Sequence, residues 1–413
     1  MSKPIIEEQI GGYQFVWKEE DLAIAVSKLK SHNSDGRITG EILIKAPAEN
    51  PQPIYPQTSV NFTSERSRTG LVKTLESLDS HFPWQEIISQ LSLATIDRAR
   101  TGEEVQELWT HRDVPKLEFL LEPVIIKGVP NIIFGEKGVT KSTLSLVFYI
   151  CLILPWTDNP LGLVAPNRSI KTLVLDYELP GDIAQRNAKQ LQEGMDLPAF
   201  PLYHRRCFAP LAEEIEQIAN HVNNMKAECV IIDSMARACG GELNKTEPAN
   251  AYFEALDKLK VSSLSLGQTS KDIESKRKSI YGNALFTYYG RNIFELCKSE
   301  TMNENELDVA LFHRDSNLTK HYPNMSFHFT FNEHKTTIER QPINITEFIQ
   351  KVSIKKAILE QLKQGALPAK DIATAITSSE SAVKMALSRL NKQGLVVRLG
   401  SGLWGLQEQN NNE

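Results

Sequence analysis

From about residue 116 the chain alternates between short apolar runs and longer stretches whose apolar side chains recur every three or four positions. The runs are NIIFG (131–135), TLVLDYE (172–178), ECVIIDS (228–234) and SLSLGQT (263–269), with helix-length segments between them at about 141–154, 181–193, 211–226 and 248–260. Strands that alternate with amphipathic helices of this length call for a mainly parallel sheet in an α/β fold, because each strand needs a crossover to return to the same end. Two later runs, NIFELCK (292–298) and LDVALFH (307–313), are expected to extend the sheet as a hairpin-like edge, and MSFHFTFN (325–332) adds a further strand. The core domain is thus predicted over 116–340.

Either side of it the texture differs. Residues 1–115 mix a strand-like piece, EILIKA (41–46), with a turn-rich stretch at 47–59 and helices at about 70–110, which reads as an α+β accessory region of no assigned function. Arg66 and Arg68 lie there among small polar residues; they suit phosphate, but a solvated loop explains them as well. A linker at 341–353 leads to helical patterns at about 353–364, 369–376 and 379–393, followed by two β-type runs that meet at Gly400-Ser401-Gly402. Three helices and a hairpin over 354–407 form a winged-helix layout, and residues 408–413 read as a loose tail.

Composition narrows the picture. At 413 residues, with 41% apolar and 23% charged residues, the chain suits two or three soluble globular domains rather than a disordered polymer. Its five cysteines have neither paired nor metal-like spacing, which points to a reducing, cytoplasmic setting. The longest apolar run, 144–156, is too short to span a bilayer and ends near proline, so no membrane role is expected. The net charge of −5 excludes a uniformly basic coat, yet residues 354–407 hold eight basic residues against three acidic ones. That local excess is the footprint expected for contact with a DNA backbone.

The candidate chemistry begins at FGEKGVTKST. In G-x-x-x-x-G-K-[ST], backbone N–H groups wrap phosphates, the lysine reaches the β and γ phosphates and the hydroxyl ligates magnesium. The segment Gly135, Glu136, Lys137, Gly138, Val139, Thr140, Lys141, Ser142, Thr143 follows that outline between a strand and a helix, except that Thr140 stands where the second glycine belongs. A threonine brings a Cβ to a point of close backbone approach. Nucleotide binding is expected to survive this change; a relic loop that only stabilises the fold is the alternative.

Three features follow where such a loop needs them. Glu178 ends the second run and is placed to activate water, with Asp176 in a hydrogen-bonding role. Asp233 ends an apolar strand in the Walker B form and joins Ser142 as the predicted magnesium ligand set, with Ser234 adjacent. Gln268 ends the fourth run and can sense the γ phosphate, after which Lys276, Arg277 and Lys278 cluster in a loop that faces either solvent or nucleic acid. In the C-terminal unit a Ser378 or Ser379 cap opens a helix predicted to bury Val383, Leu387 and Leu390. Lys384, Arg389 and Arg398 are its nucleic-acid candidates; winged helices also dock proteins.

As an ordered set, FGEKGVTKST, VLDYELPGDIAQR, VIIDSMARACGGELN, GQTSK and YGNALFTYYGRNIFEL resemble the RecA-like hexameric P-loop ATPases, especially the RepA-type replicative helicase branch. The resemblance spans about 116–335. It implies ATP and Mg2+ as cofactors, Lys141 and Ser142 on phosphate and magnesium, Glu178 as catalytic carboxylate, Asp233 on magnesium and Gln268 as sensor. Lys271 and Arg291 then resemble the basic residues that such assemblies offer to a neighbouring subunit's nucleotide, which implies a homo-oligomer, hexameric in that family. Read from the chain alone, Arg291 pairs equally well with Glu178 or Glu295 in its own domain. The family commonly has histidine at the position of Gln268 and glycine at that of Thr140. The expected function is an ATP-driven, DNA-associated motor or switch of helicase type; a non-hydrolysing nucleotide-binding regulator is the rival.

Overall fold

The structure is a computed structural model and describes residues 2–407 apart from 33, 47–51, 103–104, 106, 109–112, 114–115, 270–279, 300–304, 343–353, 364 and 377. The chain divides into two compact units. One is Met1–Leu117 with Leu211–Ala227 and Glu254–Lys260; the other is Glu118–Pro210, Glu228–Phe253 and Val261–Glu413.

The first unit opens with an antiparallel meander in chain order: β1 (Ile5–Gln9), β2 (Gly12–Trp17), β3 (Leu22–His32), β4 (Arg37–Ala46) and β5 (Gln52–Asn61). Two helices follow, α1 (Glu65–Leu78) and α2 (Trp84–Thr101). Ser64 caps α1, its side chain accepting from the N–H of Ser67, which satisfies one of the orphan donors at the helix start. In α2, Trp84, Ile87, Ile88 and Leu91 fall on one stripe and join Phe15, Trp17, Leu22, Ile24 and Ile42 in a common core. Arg68 Nη1 donates to the carbonyl of Phe62, so that guanidinium is engaged within the unit.

The second unit carries the expected α/β core. A small ribbon of β6 (Phe119–Leu121) and β7 (Ile125–Ile126) precedes β8 (Pro130–Gly135), α3 (Lys141–Ile153), β9 (Thr172–Asp176), α4 (Gly181–Gly194) and β10 (His204–Arg206). After α5 (Leu211–Met225) come β11 (Cys229–Asp233), the short α6 (Met235–Ala238), α7 (Thr246–Leu259), β12 (Ser262–Gln268), the short α8 (Leu285–Tyr289), β13 (Asn292–Lys298), β14 (Glu306–Ser316), β15 (Met325–Phe331) and β16 (Thr336–Gln341). They build a nine-stranded sheet in the order β10-β9-β11-β12-β8-β13-β14-β15-β16. The pairings from β10 to β13 are all parallel, and those from β13 to β16 are antiparallel. Every residue of β9 and β11 is buried, which is why these strands read as unbroken apolar runs without alternation.

One expectation needs correction. The 292–298 and 307–313 runs do pair antiparallel and extend the sheet, as β13 and β14, but they are not its edge: β13 lies beside β8, parallel to it, and β15 and β16 continue the sheet beyond β14. The true edges are β10 and β16. β10 is three residues of mixed polar character, too short for any pattern, and so left no period to read.

The C-terminal part consists of α9 (Ile354–Lys363), β17 (Leu367–Pro368), α10 (Ala369–Ala375), α11 (Glu380–Lys392), β18 (Val396–Arg398) and β19 (Leu403–Leu406), with the strands ordered β17-β19-β18. Ser379 is the cap of α11, accepting from the N–H of Ala382, and Val383, Leu387 and Leu390 are its buried residues. They join Ile358, Leu362, Ile372 and Val396 in a core of their own.

Candidate nucleotide site

The sheet sets the site by register. β8, β12, β11 and β9 are parallel neighbours, so the residues that leave their C-terminal ends share one edge: Gly135 pairs with Gln268, and Asp233 with Asp176. Crevices outside the carboxyl ends of parallel strands are where α/β sheets bind ligands.

At β8 the chain turns through the phosphate-loop segment into α3. Gly135 is a glycine for packing reasons: a Cβ there would run into the carbonyl of Leu296 on β13. Gly138 has φ +77°, and Thr140 also adopts the left-handed region, with φ 60° and ψ 28°. Thr140 thus takes the backbone conformation that glycine occupies without a steric penalty. Its Oγ1 donates to the carbonyl of Val139 at 2.6 Å. The Lys141 Nζ is folded onto the loop, donating to the carbonyls of Gly135 (2.9 Å) and Glu136 (2.7 Å). Burial pushes its pKa down, while Asp233, Glu178 and Glu136 push the other way.

The acidic side of the site is tightly ordered. Asp233 is buried, which raises its pKa to about 6; a hydrogen bond from Ser142 and the charge of Lys141 oppose the rise, and Glu178 and Asp176 add to it. Ser142 and Asp233 therefore already stand together at a point where negative charge lacks solvent. A hydroxyl and a carboxylate beside a phosphate loop are a donor set that suits magnesium. Glu178 is exposed, and its Oε1 accepts from Ser234 Oγ at 2.6 Å. The turn that carries it is clamped by Asp176, whose Oδ1 accepts from the N–H groups of Glu178 and Leu179, each at 2.7 Å. Asp176 is held in turn by His204 and Arg206 of β10, both at 3.3 Å. Burial works against its charge, but the His204 ring and those two N–H groups keep its pKa below the ordinary value. The turn is also tied to β11, since the N–H of Tyr177 donates to the carbonyl of Asp233 at 2.6 Å and Arg237 donates to that of Tyr177 at 3.0 Å.

The structure therefore brings together 135–143, Glu178, Asp233 and Gln268. It sets Arg291 apart: its N–H donates to the carbonyl of Pro130, at the start of β8, whereas the loop leaves the other end of that strand. Neither intradomain ion pair considered for Arg291 forms among the described residues, because Glu295 is taken by Arg314 (2.7 Å) and Glu178 by Ser234. Lys271, Lys276, Arg277 and Lys278 lie outside the described residues. Lys384 pairs with Glu380 at 2.7 Å, and Arg398 lies over the Trp404 ring. Sequence reasoning assigned no role to Ser234, His204, Arg206 or Arg237. Ser234 was visible only as the neighbour of Asp233, and the other three carry no motif.

A family model described as an AAA domain matches residues 98–272, which include the phosphate loop, Glu178, Asp233 and Gln268. No curated protein matches. Among solved structures, a KaiC-like protein from the hyperthermophilic archaeon Pyrococcus horikoshii OT3 is 14% identical, with a TM-score of 0.37 over 54% of this chain and 94% of that one. The segment similar to an AAA domain, residues 98–272, is less than half of the chain and holds the phosphate loop at the carboxyl edge of a mainly parallel sheet in an α/β fold. Among the described residues no helix is long and apolar enough to cross a membrane.

Proposed function

We propose that this chain hydrolyses ATP with magnesium and works as a cytoplasmic, DNA-associated homo-oligomeric motor or switch of replicative helicase type. In this reading 1–115 is an accessory region, 116–340 the ATPase, and 354–407 a winged helix joined by the linker 341–353. The observation that carries it is the hydrogen bond between Ser234 and Glu178 beside the Ser142 and Asp233 pair, because a carboxylate kept in a defined place above a phosphate loop is what water activation requires.

The chain's own residues divide the work. The loop N–H groups hold the phosphates, and Lys141 exchanges its two carbonyl partners for β and γ oxygens. Ser142 and Asp233 would hold Mg2+, which supplies charge neutralisation at the phosphate oxygens. Glu178 orients a water and takes its proton as the water oxygen bonds to the γ phosphorus; the bond to the β–γ bridging oxygen breaks and ADP leaves with the electron pair. Gln268, beside Gly135, reports on the γ phosphate. Lys271 and Arg291 serve a neighbouring subunit; the distance of Arg291 from its own loop along β8 supports action in trans. Lys276, Arg277, Lys278, Lys384, Arg389 and Arg398 contact DNA.

A second reading, a nucleotide-binding regulator without turnover, is favoured by one observation, the left-handed Thr140 in the loop. Sedimentation with a non-hydrolysable ATP analogue, run beside turnover with and without single-stranded DNA, separates the two. The motor predicts a nucleotide-stabilised oligomer whose turnover rises several-fold with DNA. A monomer whose turnover ignores DNA contradicts it.

A further inference from the structure

We infer that the core carries a second small-molecule site, between α4 and β10, for an organic acid that also bears a hydroxyl group. The site is a cavity of about 420 Å³ on the far side of the Glu178 turn from the phosphate loop, within the range of about 300–1,000 Å³ usual for ligand clefts. Its polar groups converge without being satisfied by one another. His204 is nine-tenths buried, and its Nε2 faces Asp176 Oδ2 at 3.3 Å, so Nε2 carries the hydrogen. The other ring nitrogen, Nδ1, has no hydrogen-bond partner among the described residues and borders the cavity. Gly181 borders the same space: a Cβ there would sit in van der Waals contact with Nδ1, at 3.6 Å. The side-chain amides of Gln185 and Gln192 line the same space, also without partners among the described residues.

These groups specify the ligand. With Nε2 taken up by Asp176, Nδ1 is the ring nitrogen left for a ligand, and a hydroxyl, which can donate or accept, is the group that pairs with it. Lys189, on the same face of α4, supplies the cation for a carboxylate; its only ion pair among the described residues is a 3.6 Å, exposed contact with Glu193. Phe200 and Leu202 give an apolar wall for a ring or short carbon skeleton. Occupancy reaches the nucleotide site along named contacts, from His204 to Asp176 and from Asp176 to the N–H of Glu178. Only this last link rests on the ATPase reading.

The test uses the full chain and 4-hydroxybenzoate and 3-hydroxybenzoate as probes, with benzoate and phenol as the analogues lacking one group each. Titration calorimetry is expected to give a dissociation constant in the millimolar range or tighter for at least one hydroxybenzoate, several-fold weaker binding of both analogues, and about a tenfold loss in Lys189→Ala. Gln192→Trp, which fills the cavity from a half-buried position on α4, is expected to abolish binding while the fold is retained by circular dichroism. Absence of binding to about 20 mM, or binding unchanged in both variants, overturns the site. At saturating acid, ATP turnover is expected to change at least twofold in the wild type and to stay constant in Lys189→Ala. Intact binding with unchanged turnover overturns the relay. A chain that binds the acid but hydrolyses no ATP contradicts the ATPase reading and leaves the site standing.

Discussion

Thr140 shows what one residue decides. A non-glycine residue in the left-handed region costs about 1 kcal/mol relative to glycine, partly offset by the greater freedom glycine has when unfolded. Thr140→Gly is therefore expected to relax the loop and raise turnover about two- to five-fold in steady-state assays, whereas equal or lower turnover would mean the loop depends on the threonine. Ser234 is the other decisive side chain, since its hydroxyl is the hydrogen-bond donor on Glu178. A hydrogen bond to a charged group contributes about 1.5–3 kcal/mol. Ser234→Ala is expected to lower kcat about tenfold or more with ATP affinity within about twofold, and Ser234→Thr to restore most of it. A parallel loss of affinity would assign Ser234 to folding instead. At this scale the phosphate-loop outline could be read because its residues keep a fixed spacing within one turn, and Glu178, Asp233 and Gln268 because each closes an apolar run. The clamp on Asp176 could not, because its His204 and Arg206 lie about one βα unit away and meet it only through β-pairing.

Among the elements, the parallel strands were readable from their apolar runs, and the edges of the sheet were not. The 292–298 run looks alike whether it closes an edge or sits beside β8, because a run buried on both faces carries no periodicity. β14 holds a further consequence of the packing. His313 is buried and stacked on Phe294, its Nδ1 accepts from the N–H of Tyr322, and its Nε2 has no partner among the described residues. Burial first, then the neighbouring His321, lowers its pKa from 6.5 to about 4, against a weaker opposite pull from Asp315. The unfolded chain then binds the proton more readily than the folded one, so stability is complete above about pH 6.5 and falls as pH drops towards 4. Between pH 7 and pH 5 the loss from this one group is about 2 kcal/mol. Denaturant unfolding should show that loss in the wild type and a flatter profile in His313→Gln. Identical profiles would remove His313 from the account.

For the whole molecule, the start of the α/β alternation near residue 116 was legible as a change of texture along the chain, and the second compact unit begins at Glu118. That α5 and the end of α7 stand in the same compact unit as the N-terminal meander was not, since it rests on side-chain contacts such as the N–H of Ile10 with Asn223 and the pair of Lys260 with Glu8, which no local pattern encodes. What the molecule does turns on whether its ordered carboxylate works on bound ATP. The direct measurement is ATP binding and steady-state hydrolysis by the wild type and Glu178→Gln, side by side and with single-stranded DNA present. The account predicts equal affinity for both and a rate at least about 10²-fold lower in Glu178→Gln, because an amide cannot take the proton of the attacking water. Equal rates in the two proteins, or tight binding with no hydrolysis by either, would contradict it.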